Sequence, residues 1–479
     1  METNGNRPTP AQRWVLALTS VASLMVGLDT QVVATALPAI RVHLHASLAS
    51  LEWTVNAYTL TFAVLLLTGA ALGERLGRRR MLAVGVGLFT AASAACALAP
   101  DAAALIAARA VQGAGAALML PLALALLSAA FPPHRRAWAL GIFSSITGIA
   151  VLAGPVVGGA VTQGLAWEWI FWLNVPIGLV LMLLILARIP AAARTGVRLD
   201  PAGLILATGG ALGIVWALIR ANSAGWASPQ IAVTLAAGML MAGAFVAWEL
   251  RAAEPMVPLR LFRSRAVAAG NAATFCLFAA LLALVFFMAQ FLQTGLGYGP
   301  LGAGLRLLPG WAALTLIAPF SGALISRVGE RVLITGGLTT VAGGLTWLAL
   351  IARAGLPYSQ LVVPLILAGA GVSVAIPATM SVVMTAVPPA VIGQASGTLN
   401  MGRQLGGVFG IAIAAAVFAA HGGYATPAAF ASGFGPAMGT CAALALLGAA
   451  IGLAIPRRLA RPTPVLPPPA SVQKTESRA

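Results

Sequence analysis

Asp29 lies about fifteen residues into an apolar stretch from Trp14 to Leu37, and Arg109 lies inside another, Leu105-Ile106-Ala107-Ala108-Arg109-Ala110-Val111-Gln112-Gly113-Ala114-Gly115. At a helical rise of about 1.5 Å per residue, Asp29 falls roughly 22 Å past the start of its stretch, within a hydrocarbon layer about 30 Å thick. An ionisable side chain held there is costly and marks a functional site by default. A carboxylate withdrawn from water takes up a proton more readily. The chemistry open to such an acid is to accept a proton on one side of a membrane and release it on the other, with Arg109 as the cation that favours release. The alternative is that Asp29 is half of a static ion pair with Arg109. Gln112 shares a helix face with Arg109 at i,i+3, and Gly113 and Gly115 allow a neighbouring helix to approach closely.

Other polar side chains in apolar runs are candidates to line a substrate cavity: Asn56, Tyr58, Gln112, Gln290, Gln293 and Asn400. Packing or interhelical hydrogen bonding is the other reading of each. Arg306, near an outer end, reads as a side chain that snorkels to the interface. The four histidines, His43, His45, His134 and His421, are scattered, which speaks against a metal site and for surface positions. Cys96, Cys276 and Cys441 each sit in an apolar run and read as small buried residues, not a disulfide framework. Neither H-E-x-x-H nor a nucleophile with a partnered base is present. The expectation is a protein that is not an enzyme and that needs no cofactor.

The elements that must position these residues follow from composition. Of 479 residues, 60% are hydrophobic and 8% charged, with a mean hydropathy of +0.94. Soluble domains carry about 25% charged residues, so the chain is an all-α polytopic membrane protein. The net charge of +17 does not point to nucleic acid, because the arginines form short clusters between apolar runs instead of a basic face. Fourteen stretches are long enough to span a bilayer, with a short polar turn from Asn222 to Pro229 between the seventh and eighth. With the N-terminus inside, about 22 basic residues fall on the cytoplasmic side, among them Arg7, Arg194, Arg198, Arg457, Arg458, Arg461, Lys474 and Arg478. Only Arg41, Arg220 and Arg353 fall outside. Both termini are therefore expected in the cytoplasm. On this count Asp29 is the only acid clearly inside a span.

The chain also repeats. Phe131-Pro132-Pro133, Gly141 and Gly154 return as Val387-Pro388-Pro389, Gly397 and Gly410 at an offset of about 256 residues. Leu72, Arg75 and Gly77 return as Leu324, Arg327 and Gly329 at about 252. Two six-helix halves in the same orientation, with spans seven and eight inserted between them, account for both offsets, and such repeats are a transporter architecture. The expected divisions are an N-terminal segment 1–13, a first half 14–190, the inserted helices and linker 191–262, a second half 263–456, and a Pro-rich disordered tail 457–479.

Further strings carry mechanism. Glu74, Arg75, Gly77 and Arg78 fill the tight turn between spans two and three, where acid and arginines can form a charge network that breaks and reforms; topogenic positive charge alone is the plainer reading. Gly154-Pro155-Val156-Val157-Gly158-Gly159 combines a lost helix hydrogen bond with close backbone approach, giving a bendable segment or a mere packing kink. The turn string, Ala70 to Leu82, resembles the signature loop of the major facilitator superfamily, with Ala70 and Glu74 where Gly and Asp are usual. The string around Arg109 resembles its fourth-helix motif, whose arginine is implicated in proton transfer. Gly154 to Gly159 resembles its antiporter motif, with Ala150 in place of a Gly. Trp167-Glu168-Trp169-Ile170-Phe171-Trp172-Leu173-Asn174-Val175-Pro176-Ile177-Gly178, Glu52 to Leu60, and Asn400, Arg403, Gln404, Leu405, Gly406 and Gly407 resemble elements of the fourteen-span drug:proton antiporter family. So does Leu28 to Pro38, where Gln31 and Ala34 replace the usual Thr and Asn, and Glu168 replaces an Arg in the sixth span.

The resemblance implies the major facilitator fold and a proton-coupled exporter of lipophilic drugs or antibiotics, some of them cationic, in a bacterial cell membrane. Its partners would be the substrate, protons and the bilayer, with no nucleic acid, and it would work as a monomer. On that reading Asp29 and Arg109 couple protons, while Glu74, Arg75, Gly77, Arg78, Gly154, Pro155, Gly158 and Gly159 serve conformational gating. An exporter dedicated to one metabolite, siderophore or lipid is the alternative.

Overall fold

The computed structural model describes residues 8–190, 200–252, 255, 257–388 and 391–456. Arg7, Arg194, Arg198, Pro389 and the tail from Arg457 onward, with the expectations attached to them, lie outside the described residues. Among the described residues, fourteen helices are long and apolar enough to cross a membrane. They are α1 Pro10–His43, α2 Leu48–Leu76, α3 Arg78–Ala97, α4 Ala102–Ala130, α5 Pro133–Gly164, α6 Trp169–Arg188 and α7 Pro201–Ala224. There follow α8 Pro229–Glu249, α9 Arg265–Gln290 with a π turn at Phe291–Gly295, α10 Pro300–Val328, α11 Glu330–Ile351, α12 Ser359–Thr385, α13 Ile392–His421 and α14 Pro427–Gly452. Within lipid a backbone must satisfy its own hydrogen bonds, which is why the apolar runs are helical throughout. Starts are set locally: Thr9 and Gln12 form a capping box on α1, and Ser47, Asp101, Asp200, Ser228 and Thr426 cap α2, α4, α7, α8 and α14. The seventh helix runs on to Ala224, past the polar residues expected to form its turn, and Gly225 (φ +87°) makes the reversal.

The repeat is visible in how helices pair. In the first half α1 lies on α5, α2 and α3 on α4, and α3 on α6; in the second, α9 lies on α13, α10 and α11 on α12, and α11 on α14. Individual contacts repeat too. Gly113 abuts the Tyr58 carbonyl as Gly369 abuts that of Gly310, and Gly115 meets Gly85 as Gly371 meets Gly337. These pairs reproduce the offsets of 256 and 252 residues. The tight turns match as well: Gly77 (φ +104°) and Gly329 (φ +83°) occupy backbone that side-chain-bearing residues rarely adopt.

The inserted α7 and α8 pack on each other, and α7 reaches the seam between α2 and α13, where Val215 and Ile219 meet Leu60, Val64, Val408 and Ala412. Outward residues of α8 such as Val233 and Leu240 are exposed, as a lipid-facing helix requires. The insertion is central in the sequence and peripheral in space. The halves meet along α5–α10, α2–α13 and α1–α9. Below, one end of the bundle is called the His43 end and the other the Glu74 end.

Candidate functional site

Asp29 faces the interior of the first half. Its Oδ2 accepts from Arg109 Nη1 at 2.6 Å, and its Oδ1 accepts from Gln112 Nε2 at 2.8 Å and Asn174 Nδ2 at 3.4 Å. Arg109 also donates to Gln112 Oε1 (2.7 Å) and the Thr54 carbonyl (3.2 Å), and its guanidinium lies 4.2 Å from the Tyr58 ring centroid and 5.7 Å from that of Phe171. Ser93 closes the set, taking Gln112 Nε2 at 2.7 Å and Asn174 Nδ2 at 3.3 Å. Both charges are 1% exposed. Five helices (α1, α2, α3, α4 and α6) thus converge on one neutral, hydrogen-bonded ion pair. Cation–π stacking and charge-assisted hydrogen bonds are strongest when so desolvated. Geometrically this is a closed, charge-compensated pair.

Sequence reasoning named Asp29, Arg109, Gln112 and Tyr58 but placed the last two on a cavity wall, whereas they are buried within this cluster. It missed Ser93, Thr54 and the role of Asn174. Ser93 falls on the same face of α3 as Val86, Phe89 and Cys96, all buried, and a polar residue on a buried stripe was the available signal. Asn56 is fully buried, and neither of its amide atoms has a partner. Gln290 is fully buried, accepts from the Tyr424 hydroxyl and donates to the Phe286 carbonyl. Gln293 is half-buried and donates to the Thr35 carbonyl at 2.9 Å. Asn400 is half-buried and accepts from Arg403, whose guanidinium lies over Phe278 at 4.4 Å.

The equivalent place in the second half is apolar. The 256-residue offset places Leu365 and Ala368 where Arg109 and Gln112 stand, and Leu277 falls where Asp29 stands, because Gly27 meets Ala150 as Phe275 meets Gly406, and Gln31 meets Gly154 as Ala279 meets Gly410. Leu365 and Ala368, with Leu281, Gly310, Trp311 and Gly369, line a cavity of about 40 Å³ between α9, α10 and α12. One half buries charge where the other leaves apolar space.

At the His43 end the halves are tied together. Thr35 meets Gln293, Gln163 Oε1 accepts from the Leu301 amide at 3.1 Å, and the Arg41 guanidinium lies 4.2 Å over the Tyr424 ring. Gly159 fits against Pro300 and Leu301, and Gly304 against the Pro155 carbonyl, while Gly154 and Gly158 fit against Gln31 and Val32 of α1. The Gly-Pro segment therefore packs α5 on its own half through one face and on the opposite half through the other. Gln31 contacts Gly154 instead of shaping the surroundings of Asp29. A surface cavity of about 590 Å³ opens beside this seam, lined by α1, α5, α9 and α10 residues that include His43, Glu168 and Tyr298. His43 Nδ1 accepts from Trp167 Nε1 at 3.0 Å and lies 3.7 Å from Glu168. Arg306 does not snorkel; it stacks between Tyr298 and Tyr358, at 3.7 Å and 5.2 Å. At the Glu74 end, Glu74 pairs with Arg78 at 2.6 Å, Arg75 is exposed, and Arg79 donates to the Ile189 carbonyl at 3.1 Å.

Asp29 is not the only buried acid within a spanning helix. Glu52 lies in the second turn of α2, 3% exposed, and its Oε2 has no hydrogen-bond partner. Its position near the end of a span concealed it in the sequence.

Residues 19–411 match the Major Facilitator Superfamily. The chain is 36% identical over 453 residues to the tetracenomycin C resistance and export protein of Streptomyces glaucescens, covering 94% of this chain and 83% of that one. It is 36% identical over 473 residues to the cephamycin export protein CmcT of Amycolatopsis lactamdurans, covering 97% and 96%. It is also 36% identical over 411 residues to the multidrug resistance protein Stp of Mycobacterium tuberculosis, covering 85% and 76%. Among solved structures, a D-xylose-proton symporter superposes with a TM-score of 0.65 at 16% identity, covering 93% of this chain and 98% of that one.

Proposed function

The chain belongs to the major facilitator superfamily, and from that premise we propose that it is a proton-coupled exporter of lipophilic drugs or antibiotics, some of them cationic, working by alternating access in the plasma membrane. Relatives named for resistance and export support the drug-efflux reading. The observation that carries proton coupling is the Asp29–Arg109 pair, fully desolvated yet assembled from side chains on five helices. Helix movement that separates α1 from α4 frees Asp29 to take a proton and leaves Arg109 to Gln112, Thr54 and Tyr58. Return of Arg109 expels the proton. The contacts at the His43 end and the basic residues at the Glu74 end support an orientation with the Glu74 end, and both termini, in the cytoplasm, and a conformation closed to the outside. In this reading Glu74, Arg75, Gly77 and Arg78 bias the cytoplasmic side, and Gly154, Pro155, Gly158 and Gly159 let α5 rock on α10. Substrate would lie between the halves, touching Asn400, Gln293 and neighbouring side chains, and the protein would act as a monomer of the five segments laid out above.

The test is reconstitution of wild type and Asp29→Asn in vesicles, following substrate-induced proton movement. Loss of proton movement in the variant is expected; undiminished coupling refutes the assignment. The alternative, a specialist exporter for one metabolite, draws on two relatives named for single compounds, tetracenomycin C and cephamycin, whereas Stp is named for multidrug resistance. A substrate panel in a pump-deficient strain separates them, because protection against many unrelated dyes and cations excludes the specialist.

A further inference from the structure

We propose that Glu52 is a second proton-binding site, separate from Asp29, and that a proton held there latches the seam between the halves at the His43 end. Glu52 belongs to α2, which packs across that seam on α13. It is 3% exposed with Oε2 unpartnered, and one helical turn further along α2 Asn56 is fully buried with both amide atoms unpartnered. Opposite them, the Tyr424 hydroxyl is held by Gln290, the Tyr424 ring carries the Arg41 guanidinium, and Glu52 is near enough to act on Tyr424 electrostatically. The titratable and charged groups on elements packed around this end of α2 are Arg41 and His43 on α1, Cys96 on α3, Asp101 capping α4 and Arg109 on it, Arg220 on α7, and His421 and Tyr424 at α13 and just after it. Arg109 is committed to Asp29, Arg41 to the Tyr424 ring, and His43 lies beside Glu168. Among the described residues none forms an ion pair with Glu52.

A buried carboxylate without a cation is costly when charged and far less so when protonated. Protonated, its hydroxyl can donate to a neighbouring acceptor such as the idle Asn56 amide oxygen. When the seam opens, water reaches Glu52 and the charged form becomes the stable one. Closure and proton uptake at Glu52 are therefore linked, and each promotes the other. The direction is fixed by this sign: lower pH favours the closed seam, and higher pH favours the open one.

The experiment follows the seam, not transport, so an Asp29 that proved uncoupled would leave it intact. Spin labels at Val42→Cys, which is 72% exposed, and Ala425→Cys, also exposed, report the separation across the seam in lipid nanodiscs. The buried Cys96, Cys276 and Cys441 are first replaced by Ala. The open population should rise with pH, by up to about tenfold per pH unit for one linked proton. Glu52→Gln should abolish that dependence, and Asp29→Asn should retain it. A dependence that survives Glu52→Gln, or its absence from the parent protein, overturns the proposal; so does its loss in Asp29→Asn, which would assign the proton to the Asp29 cluster. Should Glu52→Gln fail to fold, Glu52→Asp decides: the shorter carboxylate should move the midpoint, and an unmoved midpoint refutes the site.

Discussion

Breaking the Asp29–Arg109 pair from either side should cost far more than removing it whole. In Arg109→Met, the Asp29 carboxylate stays buried with two amide donors, at 2.8 Å and 3.4 Å, and no cation. In Asp29→Leu, the Arg109 guanidinium keeps Gln112, the Thr54 carbonyl and the Tyr58 ring, all uncharged. A buried charge stranded in this way costs about 3–5 kcal/mol. The double variant strands no charge, because Gln112, Ser93 and Asn174 still bond one another. It should cost no more than either single change, so the coupling energy is at least about 3 kcal/mol, well above the ~0.5 kcal/mol scatter of additive sites. At about 1.4 kcal/mol per tenfold, that is more than a hundredfold in the folded-to-unfolded ratio. Reversible unfolding in mixed micelles of wild type, both singles and the double supplies the cycle. If the double costs the sum of the singles, the two side chains do not compensate each other and the cluster is not an ion pair in energetic terms. The same double variant separates folding from function: it should be stable and should move no protons.

Gly113→Ala and Gly369→Ala each drive a methyl into a carbonyl of the neighbouring helix, Tyr58 and Gly310 respectively, and should each lower stability by about 1–3 kcal/mol. Gly141→Ala meets nothing within 4 Å and should be neutral or mildly stabilising, which thermal unfolding of the three variants checks side by side. Glu74→Gln removes a pair that is roughly a quarter exposed on each side, so stability should change by no more than ~0.5 kcal/mol while transport rate changes severalfold; equal transport removes the gating role. Burial raises the Tyr424 phenol above its usual range against the lowering effect of Arg41. Its folded form therefore stays neutral while the unfolded phenol ionises near pH 10, and the stability it contributes is complete below about pH 10 and lost above it. Tyr424→Phe should flatten that alkaline loss in a stability-against-pH profile.

The span count, the repeat and the Asp29–Arg109 pairing were legible in the sequence because hydropathy, charge clusters and motif strings are local signals. The partners of that pair were not. Ser93 and Asn174 look like isolated polar residues until α3 and α6 bring them within 3.3 Å of each other. Tyr58 and Gln112 share the polarity of cavity-lining residues, and only burial tells that they face inward. Glu52 was hidden by its place: an acid near a helix start reads as interfacial, and only the folded chain, in which α2 packs on α4 and α13, shows it to be buried.

The repeat gives the site its meaning. Two halves that share helix pairings and glycine contacts differ where Asp29, Arg109 and Gln112 correspond to Leu277, Leu365 and Ala368 under the pseudo-twofold relation. An ion pair assembled from five helices is sensitive to any displacement among them, since separating the charges by a few ångströms in a low dielectric is costly. An apolar cavity of similar placement yields to displacement at little electrostatic cost. On the proposed reading the first half converts protonation into helix movement, and the second accommodates an apolar group while that movement proceeds. Transplanting charge tests this: Leu277→Asp with Leu365→Arg should give a second half that still folds if the equivalence of the two places is real, whereas Leu277→Asp alone should fail.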